Sequence, residues 1–454
     1  MRGTLARRAE SRAMIHNVLV ANRGEITRRV FATCRRLGIG TVAVYTDPDA
    51  ASPHVAEADA RVRLEGRNGY LDAGQLIAAA RAAGADAIHP GYGFLSENAD
   101  FAAAVLDAGL TWIGPPVAAV AAMGSKIEAK KMMAAAGVPV LDELDPETVT
   151  ADQLPVLIKA SAGGGGRGMR VVRDRKDLVV ALQTAQTEAA NAFGVPDCYI
   201  EKYIERARHI EFQIMADEHG NAVHLGEREC SIQRRHQKLI EESPSVIMTP
   251  QLRQEMGEKV VRAIKSVGYW NAGTLEFLVD EKKKFYFMEM NTRVQVEHPV
   301  TERITGIDIV RDQIRIAAGM KLPYRQEDIE FRGHVMECRI NAEDPVTCRP
   351  SPGKIRTWHP PCGFGVRVDT AAYAEYVIPP YYDSLIAKLI VYGVDRAEAI
   401  NRMRRALDMF IVEGPTTSIP LHQKILAHPD FQSGDIYTAF LEHMNDPRKN
   451  RGIA

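Results

Sequence analysis

Residues 285–302 read FYFMEMNTRVQVEHPVTE, and few folds accommodate such a stretch. Phe285, Phe287 and the residues after them alternate apolar with polar, as on a strand. Glu289, Asn291 and Arg293 continue the alternation at about 7 Å per two residues, so three polar groups lie along one face, with Glu297 close behind. A core strand has no use for such a face, whereas one that meets a metal-bound polyphosphate does. A solvated edge strand is the competing reading of this stretch taken alone.

The preceding segment supports the first reading. AGTLEFLVDEKKKFYFMEMN reads as two strands joined by a charged turn, which sets Glu276 beside Glu289. Two carboxylates that close repel unless a cation lies between them. A ligand set of oxygens only, Glu276, Glu289 and Asn291, indicates a hard divalent ion, Mg²⁺ or Mn²⁺, rather than zinc.

A second constraint lies upstream. VLIKA (156–160) is a strand with Lys159 near its end, and SAGGGGRGMRVV follows it. Four consecutive glycines, Gly163, Gly164, Gly165 and Gly166, weaken any strand interior, so they are not a packing choice. Bracketed by Lys159 and Arg167, they form a flexible hairpin whose N–H groups can approach phosphate oxygens closely. The Walker pattern, with Lys-Ser/Thr on a following helix, is absent. Lys126 opens a helix capped by Ser125. HLGERECSIQRRHQKLIEE supplies Arg228, Gln233, Arg234, Arg235, His236 and Lys238. Either this cluster is a solvated hairpin, or Arg234, His236 and Lys238 line one face of an anion-binding strand.

The first 120 residues alternate strand and helix: HNVLVA, a helix from NRGEITRRV, TVAVYTD, a helix around 72–83, DAIHPG, a helix after Ser96, then LTWIGP. This pattern predicts a doubly wound parallel α/β domain, with HPGYGFLSEN (89–98) at a strand end where ligands of open sheets sit. The C-terminal part, from about RGHVMECRINAEDP, mixes short strands with closing helices and reads as α+β.

A length of 454 residues allows two to four domains, and a net charge of −1 gives no basic surplus for nucleic acid or an anionic membrane. No apolar run approaches 18 residues, so no membrane span is expected. The six cysteines are scattered with no Cys-x-x-Cys, which fits a reducing, cytoplasmic setting and argues against structural zinc. Residues 1–13 are expected to be a disordered tail.

Lysine at a strand end, the glycine hairpin, the Glu201-Lys202-Tyr203-Ile204 segment and the Glu…Glu-x-Asn set together resemble the ATP-grasp fold. ANRGEI (21–26), HPGYGFLSEN (89–98), QRRHQK (233–238) and MEMNTRVQVEHPVTE (288–302) narrow the resemblance to the biotin carboxylase family, over roughly residues 14–445. It implies a pre-ATP-grasp domain over 14–124, an ATP-grasp domain over 125–322 with a mobile lid at about 139–200, and a C-terminal domain over 333–445. Lys126, Lys159 and Gly163 to Gly166 match the positions that hold the nucleotide phosphates. Glu201, Lys202 and Ile204 match the adenine hinge, and His209, Gln233 and His236 the ribose end. Glu276 and Glu289 also belong to the ATP site, and with Asn291 they match the ligands of two Mg²⁺ or Mn²⁺ sites. Lys238, Arg293, Gln295, Val296 and Glu297 match the bicarbonate pocket, with Glu297 as general base. Tyr92, Arg293 and Arg339 match the biotin site, Arg339 facing the ureido oxygen. The implied activity is ATP-dependent carboxylation of biotin through carboxyphosphate.

The sequence departs from the family pattern in a connector, between Gly137 and Lys159, about ten residues shorter than usual. No biotinyl A-M-K-M-type hairpin occurs in the sequence. The expected partners are therefore a biotin carboxyl carrier protein, a second copy of the chain and a carboxyltransferase subunit. The missing subunits would choose the acceptor among acetyl-CoA, propionyl-CoA, another acyl-CoA, pyruvate and 2-oxoglutarate. Another ATP-grasp carboxylate ligase and a silent nucleotide-binding scaffold are the alternatives.

Overall fold

The computed structural model describes residues 14–160, 169–194 and 196–444. The tail at 1–13 and the four glycines Gly163 to Gly166 lie outside the described residues.

The N-terminal sheet has five parallel strands in the order Ala60–Arg63, Gly40–Tyr45, Asn17–Val20, Ala87–His89, Thr111–Trp112. The chain steps outward in both directions from Asn17–Val20, so the crevice between that strand and Ala87–His89 is the switch point of the sheet. ANRGEI and HPGYGF emerge there side by side. The Asn22 amide locks them together, donating to the carbonyls of Pro90 at 2.9 Å and Tyr92 at 2.7 Å. Gly91 is obligatory at this join: its φ is +64°, and a Cβ there would lie 2.8 Å from Asn22 Nδ2. Helix Gly24–Arg36 follows directly, burying Ile26, Val30 and Phe31 against Val18 and Val20. Each such side chain contributes about 1.5–3 kcal/mol by leaving water.

The central element is an antiparallel sheet of eight strands, ordered Phe285–Asn291, Asn271–Val279, Arg208–Ala216, Ala222–Arg234, Gln237–Ser243, His334–Asn341, Leu385–Gly393, Val366–Thr370. It runs unbroken from the ATP-grasp segment into the C-terminal segment, because Gln237–Ser243 pairs with His334–Asn341. Helix Arg396–Met409 packs Met403, Ala406 and Leu407 into the core of that second half. A smaller sheet, Glu143–Leu144, Cys198–Lys202, Val156–Ala160, Arg170–Val172, is covered by helix Leu178–Phe193, and Val156, Ile158, Val172, Leu178 and Ile200 form its core.

One expectation about local structure fails. Arg234, His236 and Lys238 do not share a strand face. Arg235 and His236 have φ of 48° and 67° and form the two-residue turn between Ala222–Arg234 and Gln237–Ser243. Two consecutive positive φ values match the twist of a tight hairpin. Gln233 is therefore opposite Lys238, and Arg234 opposite Gln237. Lys238 turns into the sheet, whereas Arg234 pairs with Glu343 at 2.6 Å.

Candidate active site

The register of the central sheet builds a row of carboxylates. Glu289 faces Glu276 across the outer hairpin, and Glu276 faces Glu211 across the next pair of strands. Like charges directly opposite are destabilising, so the row needs cations. Arg228, fully buried, donates from Nε to Glu211 at 2.5 Å. Lys238 Nζ reaches Glu211 at 2.5 Å, Glu276 at 2.9 Å and Glu297 at 2.7 Å. His209 Nε2 lies 3.0 Å from the second oxygen of Glu276, while its Nδ1 is 2.7 Å from the Gln233 amide nitrogen. That amide donates to Nδ1, which puts the ring proton on Nε2, toward Glu276. Asn291 and Gln295 add amide donors to Glu276 at 2.8 and 2.7 Å.

The charges follow from this wiring. Burial pushes the Glu276 carboxyl up, but Lys238 and His209 outweigh it and hold it well below the usual carboxylate range. At Lys238 burial favours the neutral amine, and Glu211, Glu276 and Glu297 reverse that, so its ammonium is held more tightly than in water. Glu289 differs: burial and then Glu276 raise its pKa, and no hydrogen bond reaches its carboxylate among the described residues. A half-buried carboxylate without a hydrogen-bond partner among those residues, opposite the buried Glu276, offers oxygen ligands that fit a hard divalent cation. Asn291 Oδ1 could complete the ligand set, and it is taken by Arg293 at 2.6 Å.

The strand ends at Asn291, and the chain turns before helix His298–Thr305. Arg293 thus leaves the strand and is held by Glu97, from the HPGYGFLSEN loop, at 3.0 Å. Gln295 bridges Arg228 and Glu276, and the Val296 carbonyl accepts from Lys388 at 2.9 Å. Glu297, at the helix entrance, is clamped between Lys238 at 2.7 Å and Arg339 at 3.0 Å. Burial raises its carboxyl, but Lys238, Arg339 and Arg228 push it far below the usual range. Lys238, Arg293, Val296, Arg339 and Tyr92 all line one cleft of about 570 Å³, roofed by Tyr376–Asp383 and floored by Asn22–Glu25. The Tyr92 hydroxyl donates to Glu25.

A second basic centre lies on the small sheet. Lys159 donates to Glu201 at 2.6 Å, and Lys130 donates to the other oxygen of the same carboxylate. Burial, Lys130 and Lys126 lower the Lys159 ammonium to about 8, so it is poised to take up an anion. The Lys202 ammonium turns away to the carbonyls of Gln153 and Leu154, and Ile204 follows two residues after the end of strand Cys198–Lys202. His236 is exposed at its turn.

The structure therefore brings together Lys238, Glu276, Asn291, Arg293, Gln295, Glu297 and Arg339, with His209 and Gln233 adjoining. Four participants are missing from the residues that the sequence singles out: Glu211, Lys130, Glu97 and Glu241, the last bonded to Arg339 Nε at 2.6 Å. Two carry a signal. His209, Glu211 and Gln213 alternate with Ile210, Phe212 and Ile214, which marks a polar strand face, and Lys130 falls one helical turn after Lys126.

Strand-end lysines and a carboxylate row on an antiparallel sheet, with an anion pocket beside it, define an ATP-grasp enzyme. Comparison with known proteins makes the class specific. The family model described as biotin carboxylase, N-terminal domain, matches residues 14–120; carbamoyl-phosphate synthase L chain, ATP binding domain, matches 119–325; and biotin carboxylase C-terminal domain matches 337–443. Biotin carboxylase 1 of Bacillus subtilis is 51% identical over 443 residues, covering 94% of this chain and 98% of its own. Biotin carboxylase of Haemophilus influenzae is 50% identical over 442 residues, covering 94% and 98%. The crystal structure of the biotin carboxylase domain dimer of Hydrogenobacter thermophilus 2-oxoglutarate carboxylase, with MgADP, ADP and bicarbonate, matches with a TM-score of 0.91 at 49% identity, over 96% of this chain and 99% of that one. The chain belongs to the biotin carboxylase family.

Proposed function

We propose that the chain carboxylates biotin on a separate carrier protein, using bicarbonate and ATP, with Glu297 as the base that starts the reaction. The observation that carries this reading is the position of Glu297, clamped between Lys238 on the carboxylate row and Arg339 in the cleft.

Bicarbonate is a small anion and a poor nucleophile, so it needs cations to hold and orient it. Lys238 and Arg293 are the cations, and Gln295 and the Val296 backbone shape the pocket. In the resting geometry three cations, Lys238, Arg339 and Arg228, depress the basicity of Glu297. An anion that shares Lys238 with Glu297 weakens that hold, so substrate binding itself makes Glu297 a stronger base. Glu297 takes the bicarbonate proton. The oxyanion attacks the γ-phosphorus of ATP, ADP leaves, and carboxyphosphate forms. Lys126 and Lys159 offset charge on the phosphoryl oxygens. Mg²⁺ or Mn²⁺, held by Glu276, Glu289 and Asn291, would supply further neutralisation there. Asn291 Oδ1 is bonded to Arg293, so a metal there would compete with Arg293 for that oxygen. Carboxyphosphate gives CO₂ and phosphate, the phosphate removes the biotin N1′ proton, and Arg339 stabilises the enolate, whose N1′ attacks CO₂.

The carrier, a carboxyltransferase and a second copy of the chain are its partners in the cytoplasm. Among the described residues no helix is long and apolar enough to cross a membrane. The purified chain with ATP, Mg²⁺, bicarbonate and free biotin should form carboxybiotin and ADP. ATP cleavage with another carboxylic acid, and none with biotin, would overturn the reading. Glu289→Gln should weaken Mn²⁺ binding, followed by titration of the ion's resonance signal, by at least the roughly 10–100-fold that loss of a supporting partner causes. Unchanged Mn²⁺ affinity would remove Glu289 from the ligand set.

A further inference from the structure

Behind Arg339 lies a second pair of carboxyls that the mechanism above does not use. Glu241 on Gln237–Ser243 stands directly opposite Glu337 on His334–Asn341, and both are fully buried. Of their four oxygens only Glu241 Oε1 has a hydrogen bond, to Arg339 Nε at 2.6 Å; Glu241 Oε2 and both oxygens of Glu337 have none among the described residues. The groups facing the pair are Arg339, Lys388, Lys238, Glu297, Tyr92, Cys338 and Cys230. The cations among them are committed. Lys388 binds the Val296 carbonyl at 2.9 Å and Glu25 at 3.1 Å, Lys238 binds three other carboxylates, and Arg339 divides itself between Glu241 and Glu297. Two opposed buried carboxylates with one shared cation cannot both ionise.

We propose that Glu337 is a positioning residue of the biotin step: it holds the proton of the pair as a neutral acid, leaving Glu241 ionised to fix Arg339 through Nε. The proton assignment stands on the sheet geometry alone, and its consequence for catalysis rests on the reading of Arg339 given above. The electrostatics agree in direction, since burial raises the Glu337 carboxyl well above its usual range, while Arg339 offsets part of the rise that burial imposes on Glu241. The two carboxyls titrate as a coupled pair.

Two measurements separate the parts. A carboxyl that holds its proton more tightly in the folded chain stabilises most below its unfolded pKa, and loses that contribution as pH rises toward the folded pKa. Glu337→Gln, the neutral isostere, lacks this loss. Its melting temperature relative to wild type should therefore rise by about 2 °C or more between pH 5 and pH 8. A difference that stays constant or falls with pH, or a variant that does not fold, overturns the proton assignment whatever the enzyme's substrate. Glu241→Gln should then lower biotin-dependent turnover about tenfold at saturating ATP and bicarbonate, with the KM for ATP moving less than twofold, and Glu337→Gln should lose at least threefold less turnover than Glu241→Gln. Equal losses in the two variants, or a matching rise in the KM for ATP, overturn the positioning role while leaving the proton assignment intact.

Discussion

Glu297→Gln will abolish turnover, by about 10³-fold or more, while MgATP binds with nearly unchanged affinity. The substitution keeps the shape of the side chain and removes its basicity. General-base catalysis is worth about 10²–10⁴-fold, and here the base also generates the only competent nucleophile. The groups proposed to face the nucleotide, Lys159 with Glu201 and His209 with Gln233, make no hydrogen bond to Glu297, so on this reading ATP affinity has no reason to change. Titration calorimetry with a non-hydrolysable ATP analogue checks the second half. Lost nucleotide affinity would make Glu297 a fold or metal residue.

Lys238→Met is the other large effect, and it reaches both stability and rate. One ammonium satisfies Glu211, Glu276 and Glu297. Removing one partner of a buried ion pair costs about 3–5 kcal/mol, because the remaining charge is stranded. Denaturant unfolding at pH 7.5 should show a loss of that order. The sign of its pH dependence is fixed. Glu276 and Glu297 have depressed pKa values in the folded wild type, so they stabilise it at neutral pH and that contribution fades as pH falls through their folded values. In the variant these acids ionise less readily and take up protons near their ordinary range. The gap between the two proteins should therefore narrow below about pH 5. A gap independent of pH would mean that Lys238 acts through packing. Activity should fall along with stability, since bicarbonate loses its principal cation.

Much of this site is visible in the sequence because its parts are local. Glu276 and Glu289 sit on one hairpin, and a short charged turn fixes their register. Gln295, Val296 and Glu297 follow within eight residues of Glu289. What stays hidden depends on pairing between distant strands. Glu211 joins the row only because Arg208–Ala216 pairs with Asn271–Val279, and nothing in RHIEFQIMA names that neighbour. Glu241 is hidden for the same reason, and so is the pairing of Arg228 with Glu211. The turn at Arg235–His236 is not legible because tight hairpins of this kind favour Asn and Gly, and here Arg and His adopt the left-handed backbone instead. That one turn decides which of the basic residues enters the site. The fold class is legible throughout, since strand–helix alternation and the order of motifs carry it. The continuity of the central sheet into the C-terminal segment is not, because it rests on the pairing of Ser243 with Val335, 92 positions apart in chain numbering and unmarked by any turn.

The central claim is that bicarbonate, deprotonated by Glu297, attacks the γ-phosphorus itself. Single-turnover reaction with ¹⁸O-labelled bicarbonate, ATP, Mg²⁺ and biotin in unlabelled water tests it directly. The mechanism predicts one bicarbonate oxygen in the released phosphate, at one label per ADP formed, with the transfer lost in Glu297→Gln. Phosphate whose new oxygen comes from water would contradict it.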